Sequence, residues 1–254
     1  SRGLGDVYKR QLIFRAASME FRSKVESPVW QNIWDVLFSI SSLVATLLLG
    51  VASGNALIGI AINEKGIFQG NFFSFLNPLS VITGLFAIFL FALHGSLYLQ
   101  MKTEQDLNYQ MRKTSKVLIF IVLILFAVLT SVSFSTVAWA KPRLITSILG
   151  LIAVAMLGLT LWLSWKEKGG IAFLSNTGFI ASIILIFASN MFPYLVRSTI
   201  NTAFSLDIYN SASSPKTLTI MLGIVLAVLP IVLVYTGYVY WVFRGPVKLD
   251  ETSY

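Results

Sequence analysis

Six apolar stretches, each long enough to cross the hydrocarbon core of a bilayer as a helix, leave this chain little freedom in how it folds. A crossing takes about 20 helical residues. The stretches fall at approximately 33–55, 77–100, 116–140, 144–165, 171–196 and 218–243. None carries a charge in its middle. The nearest is Asp35, two residues inside the first, at a depth where it can cap or snorkel. At the bilayer centre an acid would cost about 2.5–3.5 kcal/mol. The runs are too long for transmembrane strands and lack their alternation. In lipid each span must satisfy its own backbone hydrogen bonds, so helices are the remaining solution. The sequence therefore predicts an all-α integral membrane protein. Its six transmembrane helices form an up-down bundle, with the end of a truncated upstream helix before them.

Composition agrees. Of 254 residues 56% are hydrophobic and 12% charged, half the charged share of a soluble domain. A net charge of +8 could signal nucleic acid in a soluble protein. Here the basic residues are dispersed over the loops, as in a protein anchored at an anionic membrane surface, and no nucleic-acid partner is expected. Without cysteine there can be no disulfide, thiolate ligand or thiol nucleophile.

Loop charge orients the bundle, because cytoplasmic loops are enriched in Lys and Arg. One set of alternate connections holds Arg15, Arg22, Lys24, Lys102, Arg112, Lys113, Lys116, Lys166, Lys168, Arg244 and Lys248. The other holds only Lys65, Lys141, Arg143, Arg197 and Lys216. The C-terminus, a 101–116 loop and the 166–170 turn are thus expected in the cytoplasm. Trp34, Trp139, Trp165, Tyr194, Tyr238, Tyr240 and Trp241 fall at the expected interfaces. Connections of a few residues at 141–143 and 166–170 force antiparallel neighbours.

The beginning is anomalous. Residues 1–11 (SRGLGDVYKRQ) are polar and contain no apolar signal-peptide core. Leu12–Phe14 reads like the last turn of an apolar helix, with Arg15, Arg22 and Lys24 as its cytoplasmic flank. The expectation is a non-native leader at 1–11, a single transmembrane domain at 12–248, missing helices upstream and a cytoplasmic tail at 249–254.

The inventory of reactive groups is short. With one histidine, His94, and no cysteine, a Cys/His metal centre cannot be assembled within the chain. A bis-histidine haem is impossible here. A His–Met pair would need His94 with a methionine, and no spacing supports it. All eleven acids lie at helix ends or in loops, so a buried proton relay could use only His94. No phosphate loop, Ser/His/Asp set or carboxylate pair is present. Polar residues at membrane depth are His94, followed by Gly95 and Ser96, together with Asn176 and Asn190. His94 can be a neutral side chain bonded to a neighbouring helix. The functional alternative is a contact to a partner subunit, a proton path or a quinone headgroup. Asn176 and Asn190 read as interhelical glue. Pro193 ends or bends the fifth span, and Pro230 lies mid-span in the sixth.

Four segments resemble a known family. NPLSVITGLF…LHGSLYLQMKT (77–103), with Asn77, Pro78, His94, Gly95, Tyr98 and Lys102, is similar to a pattern in subunit II of cytochrome bd-type quinol oxidases. FRAASMEFRSK (14–24), with Arg15, Arg22 and Lys24, resembles the end of that family's third helix. MFPYLVRSTI (191–200) and SLDIYNSASSPKTLTIML (205–222), with Phe192, Pro193, Asn210 and Ser213, resemble its outer loop. PIVLVYTGYVYWVFRGPV (230–247), with Pro230, Tyr235, Arg244 and Gly245, resembles its last helix and Phe-Arg-Gly exit.

The resemblance implies a non-haem subunit in the bacterial cytoplasmic (inner) membrane. Its partner would be a haem-bearing subunit I holding haem b and haem d, with a small single-helix accessory subunit beside the heterodimer. The complex would oxidise quinol and reduce dioxygen to water in aerobic respiration. This chain would bind no cofactor and hold no catalytic residue, with lipid and quinone as its membrane partners. The family's Trp-Asp-Gly-Asn motif would belong to the missing N-terminal part. A secondary transporter or permease fragment is the competing reading, suggested by six spans and a mid-span proline. No internal repeat supports it.

Overall fold

The computed structural model describes residues 13–137 and 143–245. The leader at 1–11, Leu12, residues 138–142 with Trp139 and Lys141, residues 246–248 with Lys248, and the tail at 249–254 lie outside the described residues. Among the described residues there are seven helices and a two-stranded sheet. A short helix, α1 (residues 13–22), is followed by α2 (Pro28–Ile58), α3 (Pro78–Lys102), α4 (Gln105–Thr136), α5 (Leu144–Trp165), α6 (Gly169–Met191) and α7 (Pro215–Val242). Strands β1 (Tyr194–Val196) and β2 (Leu206–Asp207) pair antiparallel between α6 and α7. Helices α2 to α7 are each long and apolar enough to cross a membrane.

Their starts follow local chemistry. Pro28, Pro78 and Pro215 occupy the first turn, where the missing N–H costs nothing. The Asn77 side chain accepts from the Ser80 amide at 2.9 Å and caps α3. Three boundaries differ from expectation. The span set at 116–140 belongs to a helix beginning at Gln105, so the 101–116 loop shrinks to Thr103–Glu104. That polar first part lies beyond the apolar run, where hydropathy does not register a helix. Asn108 Nδ2 secures the turn by donating to the carbonyls of Gln100 (2.7 Å) and Thr103 (2.9 Å). The span set at 171–196 stops at Met191, and its apolar end 194–196 becomes β1. The first span starts earlier than 33, at Pro28.

One end of the bundle carries two tight turns, α3–α4 and α5–α6. The α5–α6 turn bonds Lys168 N to Leu163 O (3.0 Å) and Glu167 N to Ser164 O (3.3 Å) around Glu167 at φ +59°. This is the Schellman pattern, with Glu167 where glycine is usual. Its carboxylate pairs with Arg112 of α4 and ties the two turns together. The other end carries the long connections, and these join. Ile60 N bonds Arg197 O (2.9 Å), Thr199 N bonds Ile60 O (3.1 Å), and Ser198 Oγ donates to Ile62 O (2.7 Å).

Helix α3 lies among α2, α4 and α6, and α5 packs on α4 and α6. Its residues Phe86, Leu90, Leu93 and Leu97 form the centre of the core, meeting Ile119 and Val122 of α4, Leu157 of α5 and Phe179 of α6. Helices α2 and α3 touch backbone to backbone. A Cβ on Gly54 would lie 2.5 Å from Ser80 Cα, and one on Gly50 2.6 Å from Gly84 Cα. Small residues four apart allow this approach, which dispersion then rewards. Helix α7 contrasts with all of these, for it buries no residue.

Candidate functional site

The motif residues separate into three places. At the start of the chain, Arg22 Nε donates to Asp35 Oδ1 at 2.6 Å. That hydrogen bond, and then the carboxylate's charge, holds Arg22 above the ordinary arginine range. Asp35 therefore neither caps nor snorkels alone. Arg15 lies over the Phe38 ring (5.5 Å), and Lys24 pairs with Glu20 at 3.5 Å. The Arg22–Asp35 and Arg15–Phe38 contacts dock α1 on the first turns of α2, whereas Lys24–Glu20 is local to the end of α1. Both ion pairs are well exposed, so solvent and salt screen them and they add little to stability.

At the loop end the Asn-Pro motif has a packing role. Asn77 Nδ2 donates to Asn55 Oδ1 (2.8 Å), and Asn55 Nδ2 donates to Val51 O (2.8 Å) and Phe75 O (2.7 Å). Pro193 follows a cis peptide bond from Phe192, and its carbonyl accepts from Ile208 N at 3.1 Å. Asn210 and Asp207 clamp the next turn. Asp207 N bonds Asn210 Oδ1 (2.8 Å), and Asn210 N bonds Asp207 Oδ1 (2.7 Å). Burial pulls Arg197 below the ordinary arginine range. Ser213 is exposed and precedes the α7 cap, Ser214.

The third place gathers residues from two motifs distant in sequence. His94, Gly95, Tyr98 and Lys102 of α3 face Arg244 and Gly245, just beyond α7, across a groove of about 670 Å³. Specific ligand sites commonly enclose 300–1,000 Å³. Phe91, Phe173 and Tyr240 supply its aromatic wall, and Met101 lines it too. His94 Nδ1 hydrogen-bonds the side-chain amide of Asn176 at 3.0 Å, the donor being set by the imidazole tautomer. The imidazole stacks on Phe173, with centroids 4.4 Å apart and planes 24° from parallel. Asn176 is fully buried, and its Oδ1 finds no hydrogen-bond partner among the described residues. At the mouth, Lys102 Nζ donates to Phe243 O (2.6 Å) and Gly245 O (3.2 Å), capping the C-terminal end of α7. Arg244 lies 5.0 Å from the Trp241 ring centroid. Gly245 has φ +98°, a conformation open to glycine and strained in other residues.

The reading of Asn176 as interhelical glue holds, with His94 as its partner. The Asn190 side chain, on the last turn of α6, makes no hydrogen bond among the described residues. Pro230 lies inside a continuous α7, and Tyr235 is exposed with no described partner. Phe173 and Tyr240 enter the site unforeseen as groove residues, since aromatic residues are common throughout the chain. No group of three His, Asp or Glu residues clusters among the described residues.

Comparison with known proteins supplies a further constraint. The family model for cytochrome bd terminal oxidase subunit II matches residues 10–243. The chain is 28% identical over 282 residues to cytochrome bd-I ubiquinol oxidase subunit 2 of Escherichia coli K12, covering 94% of this chain and 72% of that protein. It is 27% identical over 244 residues to cytochrome bd ubiquinol oxidase subunit 2 of Bacillus subtilis, covering 94% and 71%. None of these supports a transporter.

Proposed function

The chain belongs to the cytochrome bd terminal oxidase subunit II family, and on that premise we propose that it is the haem-free half of a quinol-oxidising heterodimer. Haem b, haem d and quinol oxidation are assigned to a haem-bearing subunit I. As a member of this family the chain is a subunit of an oxidoreductase complex, and its span-length helices make it a multi-pass membrane protein.

The observation that carries the haem-free assignment is the state of the only histidine. His94 uses Nδ1 for Asn176, which leaves Nε2 as the one nitrogen open to another group. Met101 lines the same groove, but it lies two turns farther along the same face of α3. Two residues so placed cannot approach a macrocycle from opposite faces, so His94 and Met101, the methionine of this groove, do not fit a His–Met haem. The role left to this chain is to hold a fixed apolar scaffold beside its partner. Residues 12–248 act as one transmembrane domain. The tight turns and the C-terminus face the cytoplasm, and the strapped loops face outward across the inner membrane. Arg112, Lys166, Lys168 and Arg244 at the turn end support that orientation. A small single-helix accessory subunit is part of the same proposal.

The test is co-purification. A tagged full-length version should bring down a haem-containing partner with the reduced-state absorbance of haem d. A colourless homo-oligomer would overturn the assignment.

A further inference from the structure

We propose that the groove between α3, α6 and the C-terminal end of α7 is a binding site for one anionic phospholipid. Its phosphodiester lies at Arg244 and Lys102, and its acyl chains run along Phe91 and Phe173. The leaflet named here rests on the cytoplasmic placement of the turn end; the lipid class does not.

The argument begins with α7. The helix buries nothing, and its described ties to α3 are the two hydrogen bonds from Lys102 at the last turn. Over the depth of His94, about 12 Å from Lys102 by helical rise, side chains of α3 and α6 face a gap that no other helix fills among the described residues. A gap open sideways to a bilayer is filled by what the bilayer supplies, which is acyl chain. The wall suits it, being made of Phe91, Tyr98, Phe173 and Tyr240.

Charge then selects the headgroup. Both charged side chains that line the mouth are cations, and no acid lines the groove among the described residues. Among the described residues neither Lys102 nor Arg244 forms a salt bridge. Lys102 spends two donors on carbonyl oxygens and keeps a third. Arg244, with its guanidinium carbon 5.0 Å from the Trp241 ring centroid, carries a planar fork of donors matched to phosphate oxygens. A zwitterionic headgroup brings its own cation to this mouth, whereas phosphatidylglycerol does not. Basic pockets between transmembrane helices select acidic lipids on this ground. Each basic residue beside such a headgroup is worth about a five-fold preference.

The experiment is native mass spectrometry of the delipidated full chain offered equimolar phosphatidylglycerol and phosphatidylcholine. One retained phosphatidylglycerol is expected, favoured by about twenty-five-fold from two cations. Arg244→Gln should cut the preference about five-fold, and Arg244→Lys should largely keep it. Equal retention of the two lipids would overturn the proposal, as would a preference unchanged in Arg244→Gln. Displacement of the lipid by inorganic phosphate would also overturn it, marking a free-anion site. Orientation is read separately. A membrane-impermeant maleimide should label Lys65→Cys, and not Glu104→Cys, in intact spheroplasts. The reverse pattern would move the site to the outer leaflet and leave the lipid preference standing.

Discussion

Helices α3 and α7 are both continuous apolar spans that start on a proline, yet one is the centre of the bundle and the other stands outside it. Helix α3 buries Leu93 and Leu97 completely and has α2, α4 and α6 around it. Helix α7 is exposed along its length. The difference lies in the residues that are not apolar. In lipid an aliphatic side chain gains little by leaving one hydrocarbon surface for another, so association depends on close backbone approach and on interhelical hydrogen bonds. Helix α3 has Ser80 and Gly84 against Gly54 and Gly50, His94 bonded to Asn176, and Gln100 donating to Ser115 of α4 at 2.9 Å. The glycines of α7, Gly223 and Gly237, have open space where a Cβ would go. Apolarity puts a helix in the membrane; small and polar residues put it in the bundle.

Matched substitutions can break that comparison. Gly54→Leu drives a side chain into the α3 backbone and should cost about 3 kcal/mol or more, since overpacking alone typically costs 1–3. The same change at Gly237 should leave stability within about 0.5 kcal/mol. Thermal or denaturant unfolding in detergent reads both, and equal losses would dissolve the distinction between the helices. Next in size is Asn176→Ala. It removes the hydrogen bond to His94 and should cost about 1 kcal/mol, near the range measured for such bonds in membranes. His94→Ala in the assembled oxidase should lower haem retention or turnover; unchanged assembly and rate would leave His94 a packing residue only.

Smaller still is Arg112→Ala, which unpairs Glu167 at a partly exposed site. A loss of about 0.5 kcal/mol that shrinks with added salt is expected. Lys102→Met should have the least effect on global stability. Its readout is distance: spin labels near the C-terminal ends of α3 and α7 should show a broader separation once the two carbonyl contacts are gone. An unchanged distribution would mean that other contacts hold α7.

The positions of all six spans were legible because length and apolarity are sufficient to define a crossing. What hydropathy cannot register is helix outside hydrocarbon, so the polar segment 105–115, the first turns of α4, resembles a loop in the sequence. Nor does it distinguish a buried helix end from a strand, so Tyr194–Val196 was assigned to the fifth span. The Gly50-x-x-x-Gly54 spacing was readable and would have located the α2–α3 contact. His94 and Asn176 each stood out, but a single sequence holds nothing that pairs residues 82 apart. The groove is beyond such a reading for the same reason. It exists because Arg244 and Gly245 return to Lys102, more than 140 residues earlier.

The seam between residues 60–62 and 197–199 carries a consequence for synthesis. The α2–α3, α3–α4 and α5–α6 pairs join neighbours, so each can form as soon as its second helix has entered the membrane. The seam cannot, because Ser198 reaches Ile62 across 136 residues of chain. Contacts of such sequence separation are the slow ones in folding. The loops at that end must wait, unmatched, while four more helices are made. When Ser198 at last meets Ile62, it records that every helix between them is already in place.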